Sequence, residues 1–356
     1  MNLNRVEKLL QRMPELGVDA FLITGGTNRT YLSGFKGSSG FLLITGQKQF
    51  ILTDFRYLDQ AAEEAPGFEV VRIGPKAAET LGKLVLDTGC RRLGFEAHKV
   101  SYEQYQEFFE QFKGSDLVPV SKVVEKIRAL KEPEEIDLLK STVEIADRAF
   151  EDVLRFIRPG VPEREVAAKL EYTMRTNGAE KASFDIIVAS GARGALPHGS
   201  ASGKKIQKGD LVVIDFGARF HGYCSDMTRT IMVGNAESRQ REVYDLVLKA
   251  QRKALGAVKP GVICRDLDAV ARETIIEGGY ADSFGHGLGH GVGMQVHEEP
   301  SVNTVGETVL MPGMVITVEP GIYIKDWGGI RIEDMVVVTD NGCEVLTSTT
   351  KQLLEL

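Results

Sequence analysis

Thiols are scarce in this chain, and none is placed for pairing. Four cysteines, Cys90, Cys224, Cys264 and Cys343, are scattered over 356 residues without a C-x-x-C pair. Neither a disulfide framework nor a thiolate zinc site is indicated, and a reducing compartment fits. A basic excess is missing too: 43 Lys and Arg stand against 50 Asp and Glu, a formal net charge of −7. Such a chain lacks the electrostatic footprint of a nucleic-acid binder. No window approaches the roughly 18 uninterrupted apolar residues of a membrane span. Residues 1–20, MNLNRVEKLLQRMPELGVDA, carry charges throughout and hold no apolar core of signal-peptide length. The expectation is a soluble, cytoplasmic protein with neither nucleic acid nor membrane as partner. What is present is ordinary globular material, 43% hydrophobic and 26% charged, too apolar for disorder. The length is a prior for about two domains.

The first third alternates helix and strand. Val6, Leu9, Leu10 and Met13 fall at helical spacing, and Gly17 marks the stop. Short apolar strands are expected at Ala20–Ile23, Gly40–Thr45 and Gln49–Thr53, separated by Gly-rich turns. Beyond them come a strand at Glu69–Ile73, a helix near Ala77–Asp87, a strand at Arg92–Phe95 and a helix from Tyr102 to about Phe112. This is an α/β unit ending near Val120. Ser121–Lys131 reads as helical, and Pro133 followed by Glu134 and Glu135 is a helix start. The domains are accordingly drawn as 1–127 and 128–356.

The second part contains an internal repeat. Arg158-Pro159-Gly160-Val161 recurs as Lys259-Pro260-Gly261-Val262, each after a helix expected to begin near Ala149 or Ala250. The helices that follow end at Asn177-Gly178 and Gly278-Gly279. KGDLVVIDFG (208–217) then echoes PGMVITVEPG (312–321), with an offset near 100 residues throughout. That exceeds a solenoid period, so one helix-helix-hairpin unit is duplicated. Two such halves pair around a pseudo-twofold axis, and a site on that axis draws groups from each.

Each hairpin carries two acids in apolar strands. Leu211–Gly217 and Asp226–Val233 flank a turn at Arg219–Gly222, and folding about the midpoint of Phe220 and His221 sets Asp215 opposite Asp226. Val315–Tyr323 and Gly329–Val338 flank Lys325–Gly328, and folding about Asp326 sets Glu319 opposite Glu333. Like charges directly opposite are unfavourable, and buried unpaired carboxylates are worse. Taken singly, each acid reads as an outward-facing residue on a solvated strand. Four at equivalent points of a repeat point to shared cations. The histidine-dense segment FGHGLGHGVG (284–293) is too glycine-rich for a helix, lacks the H-E-x-x-H glutamate, and reads as an extended, ligand-lining strand. His198 lies almost one repeat period before His297, so the two can flank the site from opposite halves. His98 and His221 have no such context and read as surface residues. Cys224 shares strand parity with Asp226 and reads as an inert packed thiol. Four carboxylates and a histidine without thiolate suit manganese or cobalt better than structural zinc. Two ions sharing such ligands activate a bridging water for hydrolysis of an amide or similar bond. Gly199–Gly203 has Ala201 where a nucleophile serine belongs, Gly203-Lys204-Lys205 is no P-loop, and the 285–293 glycines do not fit a dinucleotide fingerprint.

The segments IDFGARFHGYCSDMTRT (214–230), FGHGLGHGVG, TVEPGIY (317–323) and GIRIED (329–334) together resemble the pita-bread metallopeptidases of the Xaa-Pro dipeptidase and aminopeptidase P group. NRTYLSGFKGSSG (28–40) resembles the creatinase-type N-terminal domain that accompanies them. The resemblance implies an α/β (α+β) fold class, with a creatinase-like N-terminal domain and a pseudo-twofold pita-bread catalytic domain. It implies two divalent ions per subunit, first manganese, with cobalt or zinc as alternatives, held by Asp215, Asp226, His290, Glu319 and Glu333. Asp226 and Glu333 would bridge them, with His290 and Glu319 completing one sphere and Asp215 the other. It makes His198 and His297 contacts to substrate and intermediate, puts His286 and more weakly Tyr323 in the substrate pocket, and has Arg331 support the ligand network. Glu319 would also carry a proton from water to the leaving nitrogen. The implied activity is hydrolysis of Xaa-Pro dipeptides through a metal-bridging water. Aminopeptidase P action on longer peptides with proline second is the alternative, and an inactive binding module a lesser one. Methionine aminopeptidases usually lack the N-terminal domain, and creatinase lacks the metal. The implied assembly is a homodimer in which the N-terminal domain of one subunit covers its partner's site, with Ser33–Gly40 as the candidate contact.

Overall fold

In the computed structural model, which describes residues 2–356, strand Ala20–Ile23 is four apolar residues, all buried. That sets it in the middle of a six-stranded mixed sheet. The order across the sheet is Glu69–Arg72, Gln49–Thr53, Phe41–Thr45, Ala20–Ile23, Arg92–Glu96 and Asp116–Val120. The first helix, Asn2–Leu16, buries Val6, Leu9 and Met13 and leaves Leu10 half-buried, as an amphipathic stripe requires. Gly17 ends it with φ +63°, the left-handed conformation that glycine adopts without penalty. Gly26–Ser33, in an expected turn, and Leu58–Glu64, for which the sequence offered no element, are helices, too short for periodicity to register. The first of them carries Arg29, which is buried and donates to the carbonyls of Gly40 (2.7 Å) and Gly37 (2.5 Å). The Ser33–Gly40 segment is therefore wrapped around a guanidinium and held in one shape.

The described residues divide into two compact units, one ending at Arg128 and the other running from Ala129 to Leu356. The second unit opens with helix Pro133–Leu154, whose Pro133 occupies the first turn and whose Glu132 and Glu135 form a capping box. Its counterpart is Ser238–Ala257. Ala149 and Ala250 do not start these helices: they lie well inside them, fully buried, because the small side chain is what close packing demands there. The second helices, Glu163–Thr176 and Cys264–Glu277, have the same length of 14 residues. The Pro-Gly-Val turns are equivalent in detail. Gly160 (φ +94°) and Gly261 (φ +88°) donate to Ile206 O and Leu310 O at 2.8 and 2.9 Å.

The first half builds a three-stranded sheet in the order Met227–Met232, Leu211–Phe216, Ile187–Ser190. The second builds five strands in the order Glu298–Val302, Gly289–Gly291, Val315–Val318, Asp334–Val338, Cys343–Val345. Each sheet is covered by its own helix pair over its own apolar core, Val153, Leu170 and Ile214 in one and Val247, Leu267 and Ile316 in the other. The halves are stitched where Met227–Met232 runs beside 328–333. Glu333 N donates to Thr228 O (3.1 Å), and Thr230 Oγ1 both accepts from Arg331 N and donates to Arg331 O at 3.0 Å. No helix among the described residues is long and apolar enough to cross a membrane.

Candidate metal centre

The acids meet where the ladders break. The expected strand Val315–Tyr323 is two strands, Val315–Val318 and Gly321–Ile324, and Glu319-Pro320 lies between them. Its partner is likewise Gly328–Arg331 and Asp334–Val338, with Ile332-Glu333 between. Pro320 has no N–H for a ladder, so the chain must leave the sheet there. The hairpin is centred on Asp326, and the register brings Val318 opposite Asp334, so Glu319 and Glu333 face each other one step further on. His290 stands at a register shift in its own short strand. Bulges and breaks of this kind turn side chains out of the pleat toward a site.

The first hairpin differs from expectation in register. Asp215 pairs with Thr228, not with Asp226. The turn is two residues, His221 and Gly222, both at positive φ (+47° and +83°), the tight conformation whose twist matches a hairpin. That places the centre of the fold between these two residues and moves Asp226 two positions along. Asp226 keeps the face of Asp215 and becomes its diagonal neighbour, within reach of a shared ligand. Asp226 itself lies just before strand Met227–Met232. Gly217 is required beside it, since a Cβ there would lie 1.8 Å from Ser225 O.

Together these residues wall a cavity of about 470 Å³, lined by Asp215, Asp226, His290, Glu319 and Glu333, with His198, His286, His297 and Arg331 around them. Ligand-capable atoms of Asp226, His290 and Glu333 lie within 4.8 Å of one another. His290 Nε2 is 3.4 Å from Glu319 Oε1 and 3.6 Å from Asp226 Oδ2. Its Nδ1 faces the Gly291 carbonyl at 3.1 Å, which assigns the proton to Nδ1 and leaves the Nε2 lone pair toward the acids. Residues 137–340 match metallopeptidase family M24, and residues 5–130 match the creatinase/prolidase N-terminal domain.

The chain belongs to metallopeptidase family M24. It is 44% identical over 351 residues to a Xaa-Pro dipeptidase of Pyrococcus furiosus, covering 98% of this chain and 99% of that protein. Among solved structures it resembles a Xaa-Pro dipeptidase from Bacillus anthracis, with TM-score 0.98, 45% identity and full coverage of both chains. It also resembles an X-Pro aminopeptidase from Thermotoga maritima, with TM-score 0.90, 41% identity and coverage of 97% of this chain and 100% of that one. Fold and family are those the sequence motifs resemble: a creatinase-type N-terminal domain followed by a pita-bread peptidase domain.

The donor set of this metallopeptidase fits divalent cations on electrostatic grounds. Burial, then Glu333, Asp215 and Glu319, push the Asp226 carboxyl well above its ordinary range. Burial raises Glu319 to about 8, against the opposing pull of Arg331. Glu333 is raised strongly by burial and then by Glu319 and Asp215. Asp215 Oδ1 is buried and accepts no hydrogen bond from the described residues. Acids so crowded need positive charge that Arg331 alone does not supply. Burial, and then His297, lower His290 to about 4, so at neutral pH it is the uncharged imidazole that a cation requires.

Arg331 organises the surroundings. It donates to Asp215 Oδ2 at 2.6 Å, to the Tyr323 hydroxyl at 2.7 Å and to the Thr228 hydroxyl at 3.0 Å. The Tyr323 hydroxyl lies 2.8 Å from His286 Nε2, and His286 Nδ1 lies 2.8 Å from the Gly287 carbonyl. One directed chain satisfies them all: Arg331 donates to Tyr323, Tyr323 to His286, and His286 to Gly287 O. Burial, then the charge of Arg331, lower His286 to about 4, so it stays neutral. Tyr323 thus stands behind the cavity wall.

Thr228 and Thr317 escaped the sequence reading. Thr228 donates to Glu333 Oε2 at 2.7 Å, and Thr317 accepts from His290 N at 3.1 Å and donates to Glu319 Oε1 at 3.3 Å. Each holds an acid in place. The available signal was register: Thr228 is the true partner of Asp215. His98 and His221 are exposed, and neither is among the residues that line the cavity. Cys224 is buried with its sulfur 3.7 Å from Met294 O, and burial raises its thiol, as for a packed, unreactive cysteine.

Proposed function

We propose that this metallopeptidase hydrolyses the Xaa-Pro bond of dipeptides, using two divalent ions per subunit held by Asp215, Asp226, His290, Glu319 and Glu333. The observation that carries the proposal is the convergence of these donors, buried and short of positive charge, on one cavity. When bound, such ions lower the pKa of water and polarise the scissile carbonyl. Manganese is the proposed ion, with cobalt and zinc as alternatives.

The chain's own residues do the remainder. Glu319 takes the proton of the attacking water and passes it to the prolyl nitrogen, which leaves only when protonated. His198 and His297 contact the substrate around the scissile bond, and neutral His286, oriented by Tyr323, lines the pocket. Arg331 holds the Asp215 side chain and the Tyr323 hydroxyl in place by donating to both. A bond before proline has no N–H to offer, so a site that grips the carbonyl side and the ring needs no such contact. Relatives named Xaa-Pro dipeptidase, at near full-length coverage, support this reading. The likeness to an X-Pro aminopeptidase favours release of the first residue from longer peptides as the second reading. The family resemblance further supports a homodimer with Ser33–Gly40 at the partner's site, a domain boundary at 127/128 and a cytoplasmic location.

Product analysis with an Xaa-Pro dipeptide beside an Xaa-Pro-Xaa tripeptide tests the proposal. The dipeptide is expected to turn over far faster, because extension removes the free prolyl carboxylate. Comparable specificity constants move the activity to aminopeptidase P, and no cleavage of either by metal-loaded enzyme refutes both.

A further inference from the structure

Glu163 is the first residue of helix Glu163–Thr176, yet its side chain is wholly buried. A carboxylate in that position is costly unless its lone pairs are used. All are spent on one loop. Oε1 accepts from the backbone N–H and the hydroxyl of Ser190, both at 2.8 Å. Oε2 accepts from the N–H of Ser202 at 3.1 Å and its hydroxyl at 2.6 Å, and it pairs with Arg193 Nη1. Arg193 sends its other terminal nitrogen to Ser200 O at 2.9 Å. One carboxylate and one guanidinium thus tie together both ends of segment 190–202.

Pro197 and His198 lie within that closed loop and on the wall of the catalytic cavity. Two contacts register the loop against the centre. Arg331 donates to Pro197 O at 3.2 Å. A Cβ on Gly329 would lie 2.0 Å from Gly194 O, so the loop rests directly on the strand that carries Arg331. The His198 side chain makes no hydrogen bond among the described residues, and its aim is set by the backbone beneath it.

We infer that the Glu163–Arg193 pair positions His198 for the substrate, as a remote clasp that never touches the reacting atoms. The inference rests on the peptidase reading, in which His198 meets substrate. A purely architectural pair would cost stability and leave the remaining activity indifferent to His198.

The test is a double-mutant cycle of Arg193→Gln and His198→Ala, with metal content and melting temperature measured on each variant and Glu163→Gln as a second route into the clasp. Arg193→Gln is expected to lower kcat/KM on an Xaa-Pro dipeptide by up to about 100-fold at wild-type metal content. Most of that loss is expected to vanish in the His198→Ala background, where no imidazole remains to be misdirected. Fully additive losses overturn the inference. Amide hydrogen exchange reads the same device without turnover. Residues 195–199 are expected to exchange roughly tenfold faster in Arg193→Gln, with strand Leu211–Phe216 unchanged. Unchanged exchange in the loop overturns the clasp even if the enzyme cleaves nothing, whereas absent wild-type turnover counts against the peptidase reading alone.

Discussion

Removing the ions should make stability fall with pH, and the size of the fall follows from Glu319. Its folded value is about 8 against an ordinary 4.5, a difference of about 5 kcal/mol between the protonation states. A raised carboxyl binds its proton more tightly in the folded chain than in the unfolded one. The stabilisation is therefore complete below about pH 4.5 and is lost as pH rises toward 8. Asp226 and Glu333 shift in the same direction, so they add to the loss. His286, lowered to about 4, has the opposite sign, with stability rising between about pH 4 and 6.5, but that contribution is common to loaded and metal-free protein. Bound cations favour the ionised acids and stabilise the native state by mass action. The melting-temperature gap between loaded and metal-free protein should accordingly widen from pH 5 to 8. For a domain of this size, 5 kcal/mol corresponds to about 10–20 °C. The assay is thermal unfolding of both forms across that range, repeated with Asp226→Asn, which should narrow the gap, and with Glu319→Gln, which should flatten the metal-free slope. A gap that is constant or shrinks with pH would show that these acids do not share a site.

Three further outcomes follow from the contacts described. Asp226→Asn should lose activity by orders of magnitude, since a neutral amide is a poor cation ligand; near wild-type turnover with normal metal content would remove Asp226 from the ligand set. Thr228→Val deletes the hydroxyl between Glu333 and Arg331 and should weaken metal affinity by about 10–100-fold, read by competition with a chromophoric chelator; unchanged affinity would make Thr228 a packing residue only. Asp334→Ala strips the buried partner of Arg229 and of Gln251 and should cost about 3–5 kcal/mol in urea unfolding, with a loss below about 1 kcal/mol refuting the pairing.

Much of the architecture was legible because it is periodic. The duplicated Pro-Gly-Val turns and the acids at matched places in two hairpins are one-dimensional signals, and they declared two equivalent halves and a carboxylate centre between them. Short elements were not legible. Helices Gly26–Ser33 and Leu58–Glu64 span barely two turns, too few residues for a helical period, and their stability comes from what they pack against. The register of the first hairpin was decided by φ at His221 and Gly222, a backbone choice that side-chain pattern leaves open; it moved Asp226 from opposite Asp215 to diagonal and brought Thr228 into the centre. The break at Glu319-Pro320 follows from a proline that cannot join a ladder, but the matching break at Ile332-Glu333 is set by the register that places it opposite. Residue types and their repetition alone therefore determined that acids from two equivalent halves come to one cavity. How the groups are aimed was decided in three dimensions, because Arg331 reaches Asp215, and Glu163 reaches Ser202, across distances in sequence that no local pattern spans.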